Sequence, residues 1–170
     1  LVPNLGVVYS NDTNYVVADI PGIIKGSHAG VGLGDKFLRH IMRAIFNVFV
    51  LDIEYATLND IDISKNFFEL RQELKLFDKK LYERNYIVAV NKIDILPDRA
   101  VLEEIEKKLK KHTDGDIIFI SAFTGENIDI FIKTLTRRVK EEKEKIYKNV
   151  LNKEKEDDAI KAVYTLEEDE

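Results

Sequence analysis

The chain has 170 residues, 45% of them hydrophobic, with 31 acidic side chains against 26 Lys and Arg and a net charge of −5. That length suggests one domain with a real core, and the negative balance gives no bulk reason to expect nucleic acid as the main partner. The lack of cysteine excludes disulfide and thiol chemistry and suits a reducing compartment, and the most apolar run, Ala44 to Ile53, is too short to cross a bilayer and contains Asn47 and Asp52.

In chain order, Leu5 to Tyr9 (LGVVY) and Tyr15 to Ala18 (YVVA) read as strands. The turn composition of Asn11 to Asn14 predicts a hairpin between them. From Asp19 to Ile41 the sequence places five of its eight glycines, Gly22, Gly26, Gly30, Gly32 and Gly34, within thirteen positions. Glycine loses more backbone freedom on folding than any other residue, so such a run straight after a strand-end aspartate calls for a reason. From about Asp35 the pattern turns helical, with Phe37, Leu38, Ile41, Met42 and Ile45 on one broad face.

Phe46 to Leu51 (FNVFVL) is a buried-type strand ending at Asp52. Ser64 is expected to N-cap the next helix, in which Phe67, Leu70, Leu74, Phe77 and Leu81 recur at helical spacing. Tyr86 to Val90 (YIVAV) is another strand. Asp98 is expected to cap a helix with Val101, Leu102, Ile105 and Leu109 inward. Ile117 to Ile120 (IIFI) is the last strand, and a helix from about Asn127 is amphipathic through Ile128, Phe131, Ile132, Leu135 and Val139. Lys140 to Asp158 then holds six lysines and seven acids, which reads as a solvated helix fraying into a linker. There are no internal repeats.

Continuous apolar strands alternating with amphipathic helices predict an α/β fold, a mostly parallel sheet covered on both faces. Ligands bind such sheets at the carboxyl ends of the strands. Those ends carry Asp19-Ile20-Pro21-Gly22, Asp52, Asn91-Lys92-Ile93-Asp94 and Ser121-Ala122-Phe123. Singly each is weak, since an Asp after a strand is ordinarily a cap or turn former. Together and in order, DxxG, NKxD and SA resemble the third, fourth and fifth motifs of the guanine-nucleotide-binding GTPases.

The chemistry suits that resemblance. Guanine presents donors at N1 and at its 2-amino group, and one carboxylate, Asp94, can accept both, whereas adenine offers an acceptor at N1. Asn91 can hydrogen-bond the base at N7 and tie its loop to neighbours. The alkyl stem of Lys92 can cover a ring face and the sugar. The Ala122 N–H is expected to donate to guanine O6, beside a side chain small enough to let the backbone approach. Asp19 suits a water-mediated contact to Mg2+, and the Gly22 N–H can point at a γ-phosphate.

The resemblance is closer than that. Leu1 to Val8 (LVPNLGVV), DIPGIIKGSHAGVGLG, and Phe37 to Ile41 (FLRHI) with Arg43 resemble the Obg family of ribosome-associated GTPases, over about Leu1 to Val139. The resemblance implies a P-loop GTPase-type three-layer α/β sandwich, GTP or GDP with Mg2+, and hydrolysis of GTP to GDP. It implies work on the large ribosomal subunit in assembly or stress, in the cytoplasm, and a monomer is expected. Residues 1–139 are then a partial G domain, and residues 140–170 a charged helix and linker toward a further domain. The glycine run becomes a candidate second switch, free to follow one path with a γ-phosphate present and another without it.

Two departures qualify this reading. No GxxxxGK[ST] run occurs, nor the threonine of the first switch. The strand before that run is central in the family, and its loss leaves a gap of roughly 10 Å between its neighbours, too wide to stay open in a packed core. The sequence is therefore expected to be part of a longer product, binding GTP very weakly and hydrolysing none measurably by itself. Secondly, Ile23 stands where Ras-like relatives orient water with glutamine, and no residue is assigned as catalytic. His28 is a nearby candidate, though a lone loop histidine is more often simply solvated. The rival readings are a receiver-type phosphoacceptor domain, which does not explain NKxD and would need an acidic pair after its first strand, and a non-enzymatic module built on Lys140 to Asp158, whose charges nearly cancel with no aromatic platform beyond Tyr147.

Overall fold

The computed structural model describes residues 4–10, 13–19, 42–58 and 62–167, with the side chains of residue 58 and of 155–167 outside the description. Among the described residues, five strands form two sheets. β1 (Leu5–Val8) and β2 (Tyr15–Ala18) pair antiparallel, with Leu5 opposite Ala18 and Val8 opposite Tyr15. β3 (Asn47–Asp52), β4 (Tyr86–Asn91) and β5 (Asp116–Phe119) form a parallel sheet in that order. The register sets Asp52 beside Asn91 and Val90 beside Phe119, so the chemistry-bearing strand ends fall on one edge.

The central strand β4 is buried on both faces, as its run of apolar residues at successive positions predicts, whereas β3 leaves Val50 exposed. One face carries Phe49, Leu51, Val88 and Val90 into a core with α2 (Ile63–Phe77), α3 (Lys79–Tyr82) and α4 (Ala100–Leu109). There Phe49 meets Phe67 and Tyr86 edge-on at ring separations of 5.4 and 5.3 Å, and the Arg71 guanidinium sits 4.2 Å from the ring centres of both Tyr82 and Tyr86. The opposite face packs Ile87, Ala89, Ile118 and Ile120 on Leu135 and Val139 of α5 (Ile128–Glu167). Helix, sheet and helix make the three layers expected from the sequence.

Several local expectations are corrected. The cap of α2 is Asp62, not Ser64. The Asp62 carboxylate accepts from the Ser64 N–H at 2.9 Å and its hydroxyl at 2.7 Å, so Ser64 is buried inside the first turn. The helical spacing that joined Phe67 to Leu81 is broken at Asp78, whose extended backbone ends α2 and whose carboxylate accepts from Leu81 N–H at 2.7 Å to start α3. Asp98 does bond the Ala100 N–H, at 2.8 Å, but Val101 is exposed rather than inward. α5 runs unbroken through Glu167, well past the expected fraying. Of the helix expected from about Asp35, Phe37, Leu38 and Ile41 lie outside the described residues.

Among the described residues the hairpin makes no ladder with the parallel sheet. It leans on α5 instead. The Tyr15 hydroxyl lies 3.1 Å from Thr136 Oγ1, and the Lys143 ammonium donates to Thr13 Oγ1 at 2.8 Å and to the Asn14 carbonyl at 2.9 Å.

Candidate guanine-nucleotide site

β4 ends at Asn91 and the chain then turns sharply. Lys92 adopts the left-handed conformation, φ 68° and ψ 36°, which a residue with a Cβ takes only when its surroundings impose it. A single 3-10 turn, Ile93–Ile95, follows, with Ile93 buried beneath it and its N–H donating to the Ile120 carbonyl at 3.3 Å. This turn presents Asp94. Its Oδ1 is buried and meets no hydrogen-bond donor among the described residues. An acceptor left so costs about 1–3 kcal/mol, so such atoms in folded proteins call for a partner.

The loop after β5 is cross-tied to this turn. Asn91 Oδ1 accepts from the Ala122 N–H at 3.0 Å. The Asn91 side chain therefore ties the loops as expected, but the Ala122 N–H expected for guanine O6 is directed at Asn91. With Oδ1 so engaged, the Asn91 amide keeps its NH2 end for an acceptor such as N7. Ser121 is fully buried; its hydroxyl accepts from the Thr124 N–H at 3.0 Å, a hydrogen bond that shapes the turn. Gly125 supplies the positive φ, 83°, that the turn needs, and its N–H reaches the Ser121 carbonyl at 2.9 Å. Phe123 is 92% exposed at the tip. An Arg99–Glu126 ion pair at 2.9 Å links the loop to the segment before α4.

Two acids complete the cluster. Asp52, at the end of β3, caps the short α1 (Ile53–Leu58) through Oδ1, which accepts from the N–H groups of Glu54 at 2.9 Å and Tyr55 at 3.1 Å. Its other oxygen takes the Lys92 ammonium at 2.9 Å, and Glu54 takes the same ammonium at 2.6 Å. Burial pushes the Asp52 carboxyl up, but Lys92 and the two backbone donors outweigh it and hold it below its ordinary value. The Glu54 and Asp52 carboxylates hold Lys92 well above the ordinary lysine range.

Asp19 ends β2 and is exposed, with its N–H on the Asn4 carbonyl at 2.9 Å. Ile20, Pro21 and Gly22 lie outside the described residues, as do Ile23, His28 and the glycine run. No group of three or more His, Asp or Glu among the described residues is placed to hold a metal ion. The structure thus brings Asn91, Lys92, Ile93, Asp94, Ser121, Ala122 and Phe123 into one loop cluster, with Asp19 on a different sheet.

The family model described as 50S ribosome-binding GTPase matches residues 1–92, more than half of the sequence. The chain belongs to this family. Among curated proteins it is 42% identical over 138 residues to GTPase Obg of Clostridium botulinum, covering 81% of this chain and 32% of that protein. It is 40% identical to GTPase Obg of Thermosipho africanus, over 84% of this chain and 32% of that one, and 40% identical to that of Rickettsia conorii, over 84% and 42%. These matches bear out the resemblance to the Obg family. The chain spans about a third of the length of the first two relatives.

Among solved structures, Aquifex aeolicus Era bound to GDP·AlF4− superposes with a TM-score of 0.56 at 25% identity, over 79% of this chain and 44% of that one. A second Era structure, in complex with MgGDPNP and a segment of 16S ribosomal RNA, gives 0.56 at 26%, over 79% and 43%. The fold of this family member is accordingly the P-loop GTPase fold. Sequence reasoning missed Glu54 as part of the cluster. An acid two residues past a strand-end Asp, opposite a Lys at the end of the next strand, was the available signal.

Proposed function

We propose that this chain supplies the guanine-reading loops of a cytoplasmic, monomeric protein that binds GTP with Mg2+, hydrolyses it to GDP and acts on the large ribosomal subunit. The observation that carries the reading is the buried Asp94 Oδ1 on the NKxD turn, which has no hydrogen-bond partner among the described residues. Guanine N1–H and its 2-amino group are the donors such a carboxylate needs, and a charge-assisted bond of that kind is worth about 1.5–3 kcal/mol. The Asn91 NH2 reaches N7, and the Lys92 stem covers one ring face. Family membership supports the ribosomal part of the reading, as does the description under which the family model stands.

On the phosphate side, Asp19 would hold Mg2+ through a water, and the Gly22 N–H would be offered to the γ-phosphate. Mg2+ would supply charge neutralisation across the phosphate oxygens.

The test is Asp94→Asn in the complete gene product. By titration it should weaken GDP by about 10- to 100-fold and shift preference toward xanthine nucleotides, whose 2-oxo group accepts where guanine donates. Unchanged GDP affinity removes Asp94 from the site.

A further inference from the structure

We propose that Asp52 and Glu54 are positioning residues for guanine binding, clamping the Lys92 ammonium so that the lysine stem is held as a fixed wall of the base slot. The inference rests on the guanine-site reading above and deepens it. Three features of the geometry carry it.

First, the ammonium is held from two directions, by Asp52 Oδ2 at 2.9 Å and Glu54 Oε2 at 2.6 Å, which uses two of its three donors. Second, both acids stand on the β3–α1 side, because the parallel register sets Asp52 beside Asn91. Ser121 and Ala122 follow β5 on the opposite side of β4, so the clamp anchors the ammonium on the side away from that loop. Third, Asp52 is itself immobilised, since its other oxygen caps α1 through two backbone donors.

The left-handed backbone of Lys92 strengthens the argument. A lysine in that conformation gains by relaxing unless something holds it. Asn91 and Ile93 are tied by their bonds to Ala122 and Ile120, and the two ion pairs fix Lys92 between them. An unclamped lysine has four rotatable side-chain bonds to freeze when a base arrives, whereas a clamped one has frozen them beforehand. The raised proton affinity of Lys92 agrees with a contact maintained throughout the neutral range.

The two carboxylates and one ammonium leave a net negative charge near a ligand that carries phosphates. If repulsion dominated, removing Glu54 would tighten nucleotide binding. If positioning dominates, removing it weakens binding, and only while Lys92 keeps its charge. That difference sets the experiment, a double-mutant cycle on GDP affinity in the complete gene product, using Glu54→Gln and Lys92→Met, with thermal melting of each variant alongside. Glu54 is chosen because Asp52 also caps a helix.

The expected result is that Glu54→Gln weakens GDP about fivefold with melting unchanged, and that on the Lys92→Met background it weakens GDP no further. Glu54→Asp should recover part of the loss. An equal loss on both backgrounds, no loss on either, or tighter binding by Glu54→Gln overturns the clamp while leaving the guanine site in place. A wild-type protein that binds no GDP overturns the guanine-site reading itself, and the clamp with it.

Discussion

The two sheets of this molecule are built to different standards. The central strand of the parallel sheet is covered on both faces, with Ile87, Val88, Ala89 and Val90 fully buried, although Val50 on the neighbouring β3 is exposed. The β1–β2 hairpin has four residues per strand and leaves Leu5, Val7 and Val16 more than half exposed. The residues proposed to read the base follow the strands of the first sheet, and Asp19 follows a strand of the second. The proposed base site therefore stands on a well-buried sheet with cross-tied loops, while Asp19, proposed for the phosphate and metal side, follows a ribbon attached by side chains to α5. An isolated two-stranded ribbon is marginal in water, so its order depends on what it leans against.

The widest predicted gap between the two is in stability. Phe67 is fully buried between Phe49 and Tyr86, so Phe67→Ala should cost about 3–5 kcal/mol in urea unfolding. Val16→Ala in the hairpin, at a side chain 61% exposed, should cost about 0.5 kcal/mol or less. Comparable losses would mean that the hairpin is as much a part of the core as the parallel sheet.

The loop tie ranks next. Asn91→Ala removes the acceptor for the Ala122 N–H and should cost about 0.5–1.5 kcal/mol of stability. It should also weaken guanine nucleotides, because the loop after β5 is no longer registered on the NKxD turn. Nucleotide affinity that survives the change would show that the loop is set by the Ser121 hydroxyl and Gly125 alone.

How much of this was legible in the sequence differs by sheet as well. The three parallel strands and the order of the residues at their ends could be read because buried parallel strands are continuous apolar runs, and NKxD and SA stand behind two of them. The Asp94 acceptor was legible as chemistry, but its lack of a partner is a packing fact. The Lys92 clamp was not legible, since a parallel register brings together residues about forty positions apart. Asp62 displaced Ser64 as a cap because both are good cap residues, and the choice depends on where the turn begins. DxxG was legible as a motif, yet most of it and the glycine run lie outside the described residues.

A smaller effect tests the ion pairs behind the parallel sheet. At the start of β5 the Arg138 guanidinium bonds Asp116 at 2.8 Å and, with Arg137 nearby, holds its carboxyl below the ordinary value despite partial burial. A depressed folded value contributes stability that is present above the unfolded value and is lost as pH falls through the folded one. Asp116→Asn should therefore flatten the acid limb of the stability curve below about pH 4, by about 1 kcal/mol or less. An acid limb identical to that of the wild type would mean that the pair contributes nothing to folding.

The least costly change should be the most local. Lys143 holds the hairpin turn through Thr13 and Asn14, at the surface, where freezing a long side chain offsets much of what the two bonds return. Lys143→Ala should leave global unfolding within about 0.5 kcal/mol of wild type. Hydrogen exchange reads what global unfolding averages away. The amides of Val16 and Val17 should exchange several-fold faster while those of Val88 and Ala89 stay as they were. Tyr15→Phe, which removes the hydroxyl facing Thr136, should act in the same direction on the same amides. If β4 quickens together with the hairpin, the two sheets open as one unit and the contrast between them is only one of burial.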